Sequence, residues 1–349
     1  MPPKNSSDQP TPPVTLQNIA DRLGVTRALV SMALRNSPKV AAATRERVQA
    51  MAREMGYRSN PLVRALMSEV RQRRKHVYRA TLAFITNLKT ENHWQGLTVY
   101  PDYFNGAKQA ARRLGYDVEH FWLGNYRSNP TRLAEVLRAR GIPGVLIPPL
   151  PAENHSFDMD LKGFSAVTFG YSMKRPNIPR VCNHHIHTVQ LAVEHLVERG
   201  YQRIGFALRK DEVAQVNYLW RAGLTVVQYL FPNLTIQIFE PDQWTEEAFQ
   251  KWVASHRPEV VIGGNKTLWK WMGHLGLRIP EEIGFLHLDC RKDEEISGTY
   301  QNTLSLGESG IELLASLVES NTTVEDEQPR VMMLQSDFHE GRTLRPIEK

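Results

Sequence analysis

Residues 24–36 read GVTRALVSMALRN, and this stretch decides what the chain is built to do. If Thr26 caps a helix, Val30, Ala33 and Leu34 fall on one side at i, i+3 and i+4, while Ala28, Met32 and Arg35 fall on the other beside Arg27 and Ser31. That outer face is neither an apolar stripe nor a row of solvating charges, so it is suited to meeting another molecule. Working outward, Leu16, Ile19, Ala20 and Leu23 predict a preceding helix that stops at Gly24. Val48, Met51, Ala52 and Met55 predict a following one, with Thr44 as its cap and Gly56 as its stop. Two short helices joined by a turn and buttressed by a third form a helix-turn-helix, whose second helix enters the major groove of double-stranded DNA.

Charge supports this reading. The chain of 349 residues carries a formal net charge of +6, yet residues 1–79 hold 15 Lys and Arg against 5 Asp and Glu, a net of +10, which leaves −4 on the remainder. A basic head on a slightly acidic body is the electrostatic footprint of a nucleic-acid-binding domain joined to something else. A solvated charge run would account for RQRRK at 71–75 alone, but not for arginines spread through three helical patterns. Residues 1–13 are polar and proline-rich and read as a disordered leader. In 57–75, YRSNPLVRALMSEVRQRRK, Asn60 as cap and Pro61 at the first helical position predict a helix of about two turns, too short to be stable undocked.

From Ala80 onward short β-rich runs alternate with amphipathic helices. TLAFIT (81–86), GVLIP (144–148), AVTF (166–169), RIGFAL (203–208), VVIGG (260–264) and IGFLHL (283–288) read as buried parallel strands. YFNGAKQAARRLGY (103–116), TVQLAVEHLVERGY (188–201) and GESGIELLASLVE (307–319) read as helices. The expected fold is an N-terminal three-helix helix-turn-helix head (14–59), a hinge helix and linker (60–79), and an α/β core (80–349). So many strands predict two doubly wound parallel-sheet subdomains in the core, with a cleft between strand ends. The first is expected over about 80–177 and 306–335, the second over about 178–305 and 336–349.

The run TLQNIADRLGVTRALVSMALRNSPKVAAATRERVQAMAREMGYRSNP resembles the head of the lactose-repressor/galactose-repressor (LacI/GalR) family of bacterial transcriptional regulators. IADRLGV, VSMAL, TRERV and GYRSNP occur in order at family spacing, and the likeness continues in HLVERGYQRIGF, WRAGL and IPEEIGFLHLDC. The resemblance implies a core like that of the periplasmic sugar-binding proteins and a homodimer on a near-palindromic operator. It places base readout on Arg27 and Ala28 at the start of the recognition helix and backbone support on Ser31, with Thr26, Met32 and Arg35 on the same major-groove face. Met32 and Leu29 depart from the arginine and threonine found in many relatives. Arginine reads guanine bidentately and methionine cannot, so Arg27 is expected to carry polar readout, while Met32 either gives apolar contact to base edges or packs on the hinge. Minor-groove contact is implied for Asn60, Val63 and Leu66, with Leu66 as the wedge.

For the core, the resemblance implies a small-molecule effector, possibly a sugar or sugar derivative, held by Trp244, Asn265, Asp289 and Gln301, with Asn87 and Tyr218 further candidates. An aromatic face with Asn, Asp and Gln suits a polyhydroxylated ligand. A family arginine falls near Asn217 or Tyr218 and a family acid falls on Gly170, departures that open space and remove charge. Such an effector is therefore larger or differently functionalised, or absent.

Other signals point away from chemistry. NHHIH (183–187) reads as a polar loop at a strand-to-helix junction rather than a metal cluster, and VIGGN lacks the Lys-Ser/Thr of a phosphate loop. No nucleophile elbow is present, so no catalysis, cofactor or metal is expected. Cys182 and Cys290 read as structural thiols in a reducing compartment. With no membrane-length apolar run and no secretory signal in MPPKNSSDQPTPPV, the cytoplasm is expected and no membrane partner. The expected function is a sequence-specific DNA-binding regulator, most naturally a repressor of carbohydrate or related catabolic genes under effector control. A stand-alone cytoplasmic small-molecule-binding protein with little DNA role is the alternative, and an α/β enzyme a third class.

Overall fold

The computed structural model describes residues 14–57 and 80–347, apart from 35, 38, 39, 127, 128, 130, 152–154, 293, 294 and 327, with Lys266 described in its backbone only. Arg35, Asn60, Val63 and Leu66 lie outside the described residues.

The head begins at α1 (Leu16–Leu23), opened by a reciprocal cap in which the Thr15 hydroxyl accepts from the Asn18 N–H and Asn18 Oδ1 accepts from the Thr15 N–H. Gly24, at φ 67°, ends it in the left-handed region that glycine enters without strain, and the Val25 N–H closes back on the Ala20 carbonyl at 3.0 Å. Next, α2 (Arg27–Leu34) is capped by the Thr26 hydroxyl, which accepts from the Leu29 N–H at 3.2 Å. The third helix, α3 (Ala42–Glu54), starts two residues before Thr44 and has no side-chain cap. Thr44 is thus inside the helix, which begins in a run of good helix-forming alanines directly after the buried Val40. Ile19, Ala20, Val30, Ala33, Val48 and Ala52 close the head core, with Leu34 only half-buried. Gln49 Nε2 ties α3 to the end of α2 through the Ala33 carbonyl (3.3 Å) and Asn36 Oδ1 (2.6 Å).

The core runs β1 (Ala80–Thr86), α4 (Tyr100–Leu114), β2 (Tyr116–Trp122), α5 (Thr131–Ala139), β3 (Gly144–Ile147), β4 (Ser165–Phe169) and β5 (Arg180–Asn183). It continues through α6 (His185–Glu198), β6 (Arg203–Ala207), α7 (Lys210–Gln215), α8 (Leu219–Leu230), β7 (Thr235–Phe239), α9 (Glu246–His256), β8 (Val260–Gly263), α10 (Lys266–Gly273), β9 (Gly284–His287) and β10 (Gly298–Tyr300). It ends with α11 (Thr303–Ser320), β11 (Val331–Leu334) and β12 (Asp337–His339).

Among the described residues two six-stranded sheets result, ordered β11-β5-β4-β3-β1-β2 and β12-β10-β9-β8-β6-β7, parallel throughout except where β12 runs against β10. Helices cover both faces of each, so each lobe has a core on either side of its sheet. The chain passes between lobes after β5, after β10 and after β11. Two expected boundaries therefore move. β5 pairs with β4 and belongs to the first lobe, so the first passage falls after 183 rather than 177. The return comes at Thr303 rather than 306, because α11 packs on α4, β3 and β4 from its first turn. Arg180 hides β5 from a hydropathy reading. Its guanidinium is buried because the Gly170 and Met173 carbonyls and Asn177 Oδ1 accept from it at 3.1–3.2 Å.

Close helix contact fixes the first lobe near those passages. A Cβ at Gly106 would stand 2.0 Å from the Leu304 carbonyl oxygen, and one at Gly307 2.3 Å from that of Tyr103, so α4 and α11 cross backbone to backbone. Among the described residues, no helix is long and apolar enough to cross a membrane.

Candidate functional site

Two surfaces gather the candidate residues. On the head, Arg27 and Ala28 stand exposed at the start of α2, on the face opposite the buried Val30 and Ala33. No acidic side chain lies in the first turn of α2, so the positive end of the helix and the guanidinium present the same sign. Thr26 is exposed with its hydroxyl engaged as the cap, and Ser31 is half-buried. Met32 is not the bare outer residue of the helical projection: it packs partly against the head core, leaving one edge on the outer face. Its neighbours Ser31 and Ala33 straddle the boundary between the two faces, and a long thioether can cover apolar surface from that shoulder.

The second surface lies between the lobes. Asn183, Thr188 and Ser336, all buried, bind two of the three passages together. Asn183 Nδ2 donates to Ser336 Oγ (3.0 Å), Asn183 Oδ1 accepts from Thr188 Oγ1 (2.6 Å), and the two hydroxyls lie 2.9 Å apart. Beside this knot the strand ends of both sheets converge. His185, the first residue of α6, sits with its ring 6.3 Å from that of Tyr171 in the first lobe and 5.7 Å, edge-on, from that of Trp220 in the second. His185 Nδ1 and Trp220 Nε1 are buried with no hydrogen-bond partner among the described residues. Burial pushes His185 down to about 3, so the imidazole is neutral at physiological pH.

Glu212 faces the same place from α7. Its carboxylate accepts from the Arg209 N–H (3.1 Å) and from Asn265 Nδ2 (2.8 Å), and desolvation raises its pKa. Asn265 also caps α10, with Oδ1 accepting from the Leu268 N–H at 2.9 Å. Asp289 stands at the end of the next strand, near enough to Tyr103 that its charge adds to burial in raising that phenol's pKa. Gln301 is buried directly after β10, and Asn87 is half-buried directly after β1. At Gly170 (φ 63°) an added Cβ would meet nothing within 4 Å, so this position leaves open space.

The structure thus places Asn265 and Asp289 at adjacent strand ends, whereas two expected ligand residues lie elsewhere. Trp244 is packed into the outer core of the second lobe, its ring 4.9 Å from Phe239 and 5.9 Å from Trp271. Tyr218 is exposed on the rim of a separate cavity of about 300 Å³ between α8 and β7, shared with Leu208, Lys210, Arg221, Ile238 and Glu240. Trp220, two residues on, is the member of that segment that reaches the lobe interface. His185, Tyr171 and Glu212 went unread in the sequence, although the paired histidines of NHHIH marked the spot. That run is a helix start rather than a loop, with His184 Nδ1 accepting from the His187 N–H at 3.2 Å. Both cysteines are buried.

Residues 15–60 match the family model described as bacterial regulatory proteins, lacI family. The chain is 20% identical over 320 residues to the HTH-type transcriptional regulator MalR of Streptococcus pneumoniae, covering 88% of this chain and 94% of that one. It is 30% identical over 200 residues to the HTH-type transcriptional regulator reg1 of Streptomyces lividans, covering 55% and 53%. Similar solved structures include a lac repressor dimer bound to operator and the anti-inducer ONPF (TM-score 0.54, 19% identity, 96% and 100% covered). A transcriptional regulator CelR–cellobiose complex is also similar (0.53, 20%, 95% and 99%), as is a LacI-family protein from Rhizobium etli (0.55, 15%, 76% and 99%). The head of the chain, residues 15–60, thus matches the lacI-family model, and its two parallel-sheet lobes share their fold with these solved structures.

Proposed function

We propose that the protein is a cytoplasmic, non-enzymatic transcriptional regulator that binds a near-palindromic operator as a homodimer and represses carbohydrate or related catabolic genes under control of a small molecule in the interlobe cleft. The observation that carries the DNA reading is the exposed Arg27–Ala28 pair opening a helix whose opposite face is the head core. An arginine there can reach a guanine edge while the small Ala28 lets the helix approach the groove floor. Phosphate contacts from the basic head supply affinity without sequence preference. The effector reading rests on the converging strand ends and their unpartnered donors. Its support from relatives is the cellobiose bound to one structural neighbour and the regulator names of the others. Selection of bound sequences from a random DNA pool, followed by mobility shifts over a salt series, tests the proposal. A two-fold symmetric site bound about 1,000-fold tighter than random DNA is expected. Equal affinity for all sequences would refute it.

A further inference from the structure

The cavity of about 300 Å³ between α8 and β7 of the second lobe shares no lining residue with the group gathered at the interlobe cleft. Its floor is apolar: Phe206 of β6, Val213 of α7 and Leu224 of α8 are buried there, and Leu208 and Ile238 continue the wall outward. The rim is charged instead. Arg221 Nη2 pairs with Glu240 at 2.8 Å, whereas Lys210 lines the mouth with no hydrogen bond or ion pair to a described residue. Two cations thus stand against one carboxylate, and the mouth keeps an excess positive charge. Tyr218 is 58% exposed and Ile238 39%, so apolar surface is left in water at the opening. The left-handed pair Asn217 and Tyr218 turns the chain between α7 and α8 at this point. Val213 on the floor adjoins Glu212, which accepts from Asn265 on the cleft side, so one short helix serves both spaces.

We propose that this cavity is a second ligand site, taking a small monocarboxylate whose apolar body is about the size of one aromatic ring or a short alkyl chain. Its volume lies at the lower end of small-molecule sites, which sets that size. The body covers the apolar floor and the exposed flank of Ile238, removing both from water. The carboxylate meets Lys210 and Arg221 at the rim, where a single negative charge balances the excess. An uncharged polyol is disfavoured, because the floor side chains give its hydroxyls no donor or acceptor. A cationic ligand is repelled by the same two side chains. The site stands independently of the effector reading of the cleft.

The test is calorimetric titration of the full-length protein with benzoate, phenylacetate, indole-3-acetate and hexanoate, each beside its primary amide. At least one carboxylate should bind with a Kd of about 1 mM or below, and its amide about tenfold or more weaker. Lys210→Gln should weaken that carboxylate about tenfold. Ile238→Trp, which fills the mouth from a partly exposed position, should abolish its binding. Lys251→Gln on α9, whose ammonium pairs with Glu247 and does not line the cavity, should leave it unchanged. If Ile238→Trp fails to fold, the exposed Lys210→Gln carries the comparison with Lys251→Gln. The proposal is overturned if no carboxylate binds at about 10 mM, if an amide binds as tightly as its acid, or if binding survives the cavity substitutions.

Discussion

Asn183→Ala should loosen the joint between the lobes by an amount the hydrogen-bond geometry bounds. The amide serves two buried hydroxyls: it donates to Ser336 Oγ at 3.0 Å and accepts from Thr188 Oγ1 at 2.6 Å. Removing it does not orphan both. Thr188 and Ser336 remain 2.9 Å apart, and Thr188 Oγ1 can still donate to the His184 carbonyl at 3.3 Å. One hydroxyl is left short of a partner in a site closed to water, and a buried unsatisfied group costs about 1–3 kcal/mol. With the small void left by the amide, about 2–3 kcal/mol is expected. Urea unfolding of the single variants Asn183→Ala and Ser336→Ala and of the double variant reads this directly. Because the two share one bond network, the double variant should lose less than the sum by about 1 kcal/mol. Losses under about 0.5 kcal/mol for Asn183→Ala, or strict additivity, would show that the knot does not hold the passages together.

Arg27→Ala should relax preference at one base pair of each half-site by about 1–3 kcal/mol, read as the change in affinity for substituted operators; equal loss on random DNA would reassign Arg27 to the phosphates. Gly307→Ala places a methyl against the Tyr103 carbonyl, 2.3 Å away. It should lower stability by about 1–3 kcal/mol or more in the same urea assay, and an unchanged midpoint would mean that α4 and α11 separate freely. Burial holds His185 at about 3 against an ordinary 6.5, so the unfolded chain binds a proton there more readily than the folded one. Stability is insensitive to this group above about pH 6.5 and falls as the pH drops toward 3. His185→Gln should flatten that acid limb, and an unchanged slope between pH 6 and about 4 would place the imidazole in water.

Much of the fold is legible because the central strands are short, wholly apolar runs. The six strands read from hydropathy coincide with β1, β3, β4, β6, β8 and β9, which occupy interior positions of the two sheets. The six that were not read have physical reasons to look different. β2 and β7 are edge strands, and their half-exposed residues break the apolar run. β11 is an edge with Val331, Met332 and Met333 exposed, while β10 and β12 are three residues long. β5 is interior but contains Arg180, whose burial is made possible by acceptors supplied from 170–177, a stretch that local pattern cannot connect to it.

The ligand site was less legible, and the segment 213–224 shows why. Asn217 and Tyr218 both adopt positive φ, 54° and 61°, a pair of left-handed residues with no glycine to announce them. They end one helical segment and reorient the chain before α8, so residues on either side do not share one helical projection. Counting along the sequence puts Asn217 or Tyr218 near the position of the family arginine, but the turn leaves the Tyr218 ring exposed to solvent. Trp220, Gly223 and Val227 then form the face that packs inward, where Gly223 lets α8 approach the Ile186 backbone of α6. Trp220 reaches His185 because of that approach. A side chain larger than hydrogen at 223 would meet Val189 at 2.9 Å and push α8 away, so the aromatic floor of the cleft depends on a glycine that contacts no ligand. Gly223→Ala should therefore weaken binding of a cleft effector more than it weakens binding of operator by the effector-free protein. Equal loss in both would mean that the substitution acts on the fold as a whole and that the Trp220–His185 contact does not shape the cleft.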